Sequence, residues 1–354
     1  MERRISKKIK LGNKYIGGDS PVSVQSMCNT DSHDFAATRK QVRELVAAGC
    51  EIVRIAVPDK DCVGIFDYIK SDGIDIPLVA DIHFDYKLAI ESCCSGADKI
   101  RINPGNIGSD DRIKAVCDCC REHNVPIRIG VNSGSLDKVY LNKYNGVCAK
   151  GLSESLLNSI SVLEKFDFND IVLAIKSSDV SMMIEANRMI ADKCDYPLHI
   201  GVTEAGSMRM GILKSALGIG SLLSSGIGDT LRVSLTSNPL NEVEIGIKIL
   251  EELGLREKNS IEVVSCPTCG RTRIDLIKLV EDFENRMSKE ILNKNHIKVA
   301  IMGCAVNGPG EAREADIGLA GGNNEAIIFK KGEIVKKVPA RSAIDELIKE
   351  INKL

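Results

Sequence analysis

From Val22 to about Leu253 the sequence repeats one unit: a short β-branched run, a turn, then an amphipathic segment of about ten to twenty residues. Eight such runs are predicted as strands: Val22–Ser26, Ile52–Val57, Pro77–Asp81, Lys99–Asn103, Ile127–Val131, Ile171–Ile175, Leu198–Val202 and Thr230–Ser234. The intervening segments have helical spacing. Val180, Met183, Ile184, Ile190 and Ala191 form one apolar stripe; Val243, Ile247, Leu250 and Leu253 form another. Asp179 and the Asn238-Pro239 pair stand where helices start, and Gly254 stands where one stops. Eight strand–helix units over about 230 residues match a (β/α)8 TIM barrel, whereas a doubly wound open sheet ordinarily uses fewer units.

After Gly254 the rhythm changes. A polar link, Arg256–Ser260, leads to a strand at Ile261–Val264, a Cys-Pro-Thr-Cys-Gly turn and a helix starting near Ile274. A strand at Ile297–Met302, a Gly-Pro loop, two more strand candidates and a helix at Ser342–Ile351 follow. The expectation is an α/β chain with a barrel over residues 1–257 and a smaller α+β domain over 258–354.

With 47 Lys+Arg against 49 Asp+Glu the net charge is −2, so no general nucleic-acid or membrane-surface partner is expected. The basic N-terminus leads into no apolar segment, and Gly211–Gly228, the most apolar stretch, is poor spanning material because it carries Lys214 and many Gly and Ser. A cytoplasmic location is expected. Thirteen cysteines then read as core fillers, metal ligands or redox groups rather than disulfides. Ten lie between Cys28 and Cys194, including Cys93 with Cys94 and Cys117 with Cys119 and Cys120, inside helical stretches where they read as small buried hydrophobes.

In a barrel, function collects at the C-terminal strand ends. There Arg54, Arg101, Arg128 and Arg232 each stand between two aliphatic residues, so the pleat turns them inward if the flanks face the helices. Lys176 ends the sixth strand and adds a fifth cation. Asp81, Glu204 and Asp229 are the candidate counter-ions. Either these carboxylates neutralise the cations, or a di- or triphosphate does, since Arg binds phosphate oxygens bidentately. The Asn103-Pro104-Gly105-Asn106 and Gly226-Ile227-Gly228-Asp229 turns offer backbone amides to such an anion. Asp81, His83, Asn132 and Glu204 share the rim as candidate catalytic groups.

Cys266 and Cys269 form a two-thiol hairpin, and Cys304 directly follows a strand. A zinc ribbon would need a second pair, but the chain continues Cys304-Ala-Val-Asn307. Three thiolates suit a [4Fe-4S] cluster with one iron open, and Glu311 is close enough in sequence to supply oxygen. Zinc and purely structural thiols stay open on spacing alone.

These motifs resemble those of the 4-hydroxy-3-methylbut-2-en-1-yl diphosphate synthase family. The matching stretches are Val24–Met27, Ala80–Phe84, Arg101–Asn106, Arg128–Gly134, Val202–Gly206, Ser265–Arg271 and Gly303–Glu311, so the resemblance spans nearly the whole chain. It implies reductive ring opening of 2-C-methyl-D-erythritol 2,4-cyclodiphosphate, with electrons from flavodoxin or ferredoxin. It also implies cluster ligands at Cys266, Cys269, Cys304 and Glu311. Diphosphate contacts are implied at Arg54, His83, Arg101, Arg128, Lys176 and Ser234, with Asn132 and Glu204 near the reacting carbons. Asn103 and Arg232 join the substrate-binding set from their place at the mouth.

One geometric expectation concerns assembly. The last barrel helix, about 14 residues at 1.5 Å each, carries the chain roughly 21 Å away from the mouth. A short link would then have to climb the barrel wall, so it is easier for the second domain to cap a partner's mouth, in a head-to-tail homodimer. Two rival readings remain: a zinc-stabilised phosphate-binding barrel, and a transferase resembling dihydropteroate synthase.

Overall fold

The computed structural model describes residues 2–258, 261–290, 296–304 and 312–354. Two compact units result, Met1–Arg256 and Glu257–Leu354.

The first unit is a barrel. A hairpin comes first, β1 (Ile9–Leu11) and β2 (Lys14–Ile16), followed by eight parallel strands. These are β3 (Ser23–Met27), β4 (Ile52–Ala56), β5 (Leu78–Asp81), β6 (Lys99–Ile102), β7 (Ile127–Asn132), β8 (Ile171–Lys176), β9 (His199–Ile200) and β10 (Thr230–Leu231). The ladder runs β8-β7-β6-β5-β4-β3-β10-β9, and a parallel bridge between Leu173 and Leu198 closes it. The outer helices are α1 (Phe35–Ala47), α2 (Ile65–Lys70), α3 (Tyr86–Cys94), the short α4 (Pro104–Ile107), α5 (Asp110–Glu122), α6 (Lys138–Tyr144), α7 (Ala149–Glu164), α8 (Val180–Ala191), α9 (Met208–Ser224) and α10 (Pro239–Glu252). None of these is long and apolar enough to cross a membrane.

The helix-start signals act as expected. Asp179 caps α8 by accepting the Met182 N–H, and Asn238 caps α10 by accepting the Leu240 N–H with Pro239 in the first turn. Gly254 leaves α10 at φ +67°, a conformation that favours glycine.

The hairpin was not foreseen. Its Ile9, Leu11 and Ile16 pack with Ile52, Val79 and Val172, all buried, into a separate apolar cluster. Because Ile52, Val79 and Val172 precede the mouth residues on their strands, the hairpin stoppers the N-terminal end. Asp229 belongs to this end, not the mouth. It pairs with Arg3 at 3.2 Å and accepts from Ser6 Oγ and the Leu198 N–H, both at 2.8 Å. The Gly226–Asp229 turn likewise leads into β10, and the Gly226 carbonyl accepts the Arg4 N–H at 2.9 Å. Turn chemistry alone does not tell the two ends of a strand apart, so neither the turn nor Asp229 faces the expected anion.

The second unit is a five-stranded mixed sheet in chain order: β11 (Ile261–Ser265), β12 (Ile297–Met302), β13 (Ile317–Gly321), β14 (Glu325–Lys330) and β15 (Glu333–Pro339). The first three strands are parallel and the last two antiparallel. Three strands follow Cys304, where two were expected; the charged run Glu333–Lys337 hides β15, which is largely exposed. Helices α11 (Leu276–Glu290) and α12 (Ala343–Ile351) cover one face, burying Phe283, Leu347 and Ile351 against Val299, Ile301 and Leu319.

Candidate active site

Strand pleat brings the cations together. Arg54, Asp81, Arg101, Arg128, Asn132, Lys176, Arg232 and Ser234 sit at alternating strand positions and line one cavity of about 280 Å³ at the mouth, with Met27, His83, Gly130, Ala174 and Thr203. Glycine makes the room. A Cβ on Gly201 would lie 2.3 Å from the Arg232 carbonyl oxygen and 3.3 Å from Lys176 Nζ, and one on Gly130 would crowd the Arg101 guanidinium at 3.4 Å.

Asp81 is the hub. Its carboxylate lies 3.1 Å from Arg101 Nη1, 3.8 Å from Arg54 Nε and 3.6 Å from His83 Nε2. Burial pushes this carboxyl up, but Arg54, His83, Arg101 and Arg128 together pull it well below the usual carboxylate range. The second counter-ion is Glu242, from the first turn of α10, 3.6 Å from Arg232 Nε. Met27 is a further missed contributor: its thioether sulfur accepts from Arg54 Nε at 2.9 Å and Nη2 at 2.7 Å. A helix glutamate and a strand methionine carry no sequence signal for this role until the barrel closes.

Charge is left over. Among the described residues no carboxylate lies within ion-pair distance of Arg128 or Lys176; Arg128 hydrogen-bonds the Gln25 amide oxygen at 3.3 Å, and its buried Nε has no partner. Burial lowers the Lys176 ammonium well below its ordinary value, and the charges of Arg232, Arg128, Arg54 and Arg101 lower it further. Among the described residues, five cations face two carboxylates, so the cavity carries surplus positive charge.

Two expected residues stand outside this cavity. Asn103 caps α4, its side-chain oxygen accepting the Gly105 N–H at 3.2 Å, and lines a neighbouring cavity. Glu204 is exposed on the loop after β9, directly following the cavity residue Thr203, and holds φ +51°.

In the second unit Cys266 follows β11 and Cys304 follows the adjacent parallel strand β12. The Gly303 N–H donates to Cys266 Sγ at 3.2 Å, tying the two thiol-bearing segments together. Cys304 is buried, Cys266 half-buried and Cys269 exposed. Hydrogen bonds from the Arg271 backbone and then its side chain lower the Cys269 thiol below its ordinary value. An N–H aimed at one sulfur and a thiol biased toward thiolate fit a soft metal centre. Glu311 lies outside the described residues.

A family model described as the GcpE TIM-barrel domain matches residues 6–247, and one described as the GcpE protein C-terminal domain matches residues 262–353. The chain is 55% identical over 354 residues to 4-hydroxy-3-methylbut-2-en-1-yl diphosphate synthase (flavodoxin) of Clostridium acetobutylicum, covering 100% of both chains. It is 51% identical over 349 residues to the enzyme of the same name from Geobacter sulfurreducens, covering 99% of this chain and 98% of that one. Among solved structures, dihydropteroate synthase from Stenotrophomonas maltophilia superposes with a TM-score of 0.52 at 11% identity, over 70% of this chain and 97% of that one. Identity that low shows the barrel fold alone.

Proposed function

The chain belongs to the GcpE family, and from that premise we propose how its residues divide the work. It is an oxidoreductase of isoprenoid biosynthesis that converts 2-C-methyl-D-erythritol 2,4-cyclodiphosphate into 4-hydroxy-3-methylbut-2-enyl diphosphate. Two electrons and two protons enter, a ring carbon–oxygen bond to phosphate opens, and one water leaves.

The observation that carries the assignment is the cage of five cations around one cavity, with two carboxylates beside them among the described residues. Arg54, Arg101, Arg128, Arg232 and Lys176 hold the diphosphate, with Ser234 and Asn132 donating or accepting hydrogen bonds at its edge. Asp81 fixes the guanidinium groups of Arg54 and Arg101 before substrate arrives, so little reorganisation is needed on binding. His83, at the rim and within 3.6 Å of Asp81, and Glu204 beside Thr203 are the groups assigned to delivering protons. Asn103 orients the loop after β6.

Cys266, Cys269 and Cys304 would hold a [4Fe-4S] cluster, with Glu311 as the fourth ligand. When bound, such a cluster supplies electrons singly and a Lewis-acidic iron. Residues 1–257 thus bind substrate and 258–354 carry the redox group. Flavodoxin, which the relatives' names carry, is assigned as donor over ferredoxin. The thirteen cysteines, all free of disulfides, agree with a cytoplasmic setting. A head-to-tail homodimer, each cluster domain serving its partner's barrel, completes the assignment.

The test is anaerobic purification, iron and acid-labile sulfide analysis, then turnover of the cyclic diphosphate with reduced flavodoxin or ferredoxin. About four iron and four sulfide per chain are expected, with faster turnover on flavodoxin. A reconstituted protein that retains no sulfide would sink the cluster assignment. For the dimer, mixing Arg101→Ala and Cys304→Ser chains should restore turnover that neither has alone; no restoration in mixed dimers would remove the shared-site assembly.

A further inference from the structure

The outer wall of the barrel carries a sulfur cluster that the reaction does not use. Cys93 and Cys94 end α3, Cys117, Cys119 and Cys120 lie in the last turns of α5, and His123 is the C-cap of α5. The two helices pack side by side, so groups that read separately as helix filler become one constellation. Ligand atoms of Cys93, Cys119 and His123 all lie within 4.8 Å of one another. Cys94 Sγ is 3.9 Å from Cys119 Sγ, which is itself 3.9 Å from His123 Nδ1. Around a tetrahedral ion with zinc–sulfur bonds of about 2.3 Å, neighbouring sulfurs stand about 3.8 Å apart.

We propose that Cys93, Cys119 and His123 form a binding site for a thiophilic d10 cation, zinc(II), with Cys94 turning in as the fourth donor. Several independent features favour a cation here. Both helices end at this point, and the partial negative charge of their last carbonyls attracts positive charge. Cys93 is 2% exposed; a hydrogen bond from Cys120 lowers its thiol while burial and Cys93 itself raise the Cys119 thiol, so the site rests on the mutual placement of the donor atoms and not on their titration. Cys94 and His123 are exposed and give the ion a path in.

Binding rearranges a few weak contacts. Cys93 and Cys119 now donate to the Cys119 and Ile90 carbonyls at 3.9 and 3.8 Å, and each thiol that ligates releases its proton, with no change of oxidation state. His123 Nδ1 contacts the Cys119 carbonyl at 2.9 Å, so the ring must release that carbonyl or turn to present Nε2. The other constellation of this kind among the described residues, His33 with Asp59 and Cys62, offers no such vacancy: both ring nitrogens already meet carboxylates at 2.9 Å.

The test uses the full chain with its iron–sulfur centre assembled. Zinc chloride is added at one equivalent, excess is removed with a weak chelator, and zinc, iron and sulfide are measured together with zinc-edge X-ray absorption. About one zinc per chain with sulfur scatterers near about 2.3 Å is expected, with iron unchanged. Retained zinc should fall at least tenfold in Cys93→Ser/Cys119→Ser and several-fold in His123→Ala, whose exposed side chain is removable without disturbing the core. Cys148→Ser should leave it unchanged. Equal retention in the variants, an edge showing only nitrogen and oxygen, or iron lost in step with zinc gained would each overturn the site.

Discussion

Arg101, Arg128 and Lys176 belong to the paired strands of a closed ladder, whereas Cys266, Cys269 and Cys304 sit past strand ends, on turns. The barrel holds its charged groups in place before any ligand is present, against their mutual repulsion. The second unit brings its two thiol-bearing segments together through the β11–β12 pairing, the Gly303 N–H to Cys266 Sγ contact and an Arg273 N–H to Gly303 carbonyl bond of 3.0 Å, and it leaves Cys269 exposed. Pre-organisation therefore costs the barrel stability, whereas the thiols of the second unit carry no such repulsion and are positioned by ordinary strand pairing and hydrogen bonds. The two regions should respond oppositely to loss of a site residue.

The largest effect is expected from Cys304→Ser, which should lose iron and sulfide and reduce turnover to background while leaving pyrophosphate affinity of the barrel unchanged. A parallel loss of pyrophosphate binding, read by calorimetry, would show that the two sites are not separable. Next is Leu11→Ala in the stopper, which should cost the barrel about 2–5 kcal/mol in denaturant unfolding with KM unaltered.

Arg128→Met sharpens the contrast by sign. Removing a buried charge with no carboxylate partner should stabilise the ligand-free barrel by about 1–4 kcal/mol. It should also weaken pyrophosphate binding by roughly 10- to 100-fold, the loss of one charge-assisted contact. Arg101→Met, which strips Asp81 of its nearest partner, should instead destabilise. If both variants shift stability the same way, the cage is not under repulsion.

The smallest effect is a null one. The Asp81 carboxyl is held well below the usual range, so its stabilising contribution is complete above the unfolded value near about 4 and fades only as pH falls below that. In a His83→Gln background, which removes the imidazole 3.6 Å from Asp81, the parent and its Asp81→Asn variant should differ by a constant offset in stability between pH 5 and 8; an offset that changes with pH in this window would mean that Asp81 titrates there.

The strands and long helices were legible because each carries its own period and caps, as Asp179 and Asn238 illustrate. The inward arginines were legible for the same reason: pleat is local. What escaped depended on closure. The β1–β2 hairpin is two three-residue strands with Lys10 and Tyr15 outward, too short for a period to register. Glu242 reaches Arg232 only because α10 packs beside β3. Asp229 and its glycines look alike at either end of a strand. The Cys93–His123 constellation exists only once α3 meets α5.

The stopper has a kinetic meaning. With Ile9, Leu11 and Ile16 sealing one end, the arginine cage is a cul-de-sac. Whatever enters must back out through the same opening, and under the proposed assignment a product that keeps its diphosphate keeps its grip on the same cations. Departure of each product molecule then gates admission of the next substrate, and product inhibition should be competitive.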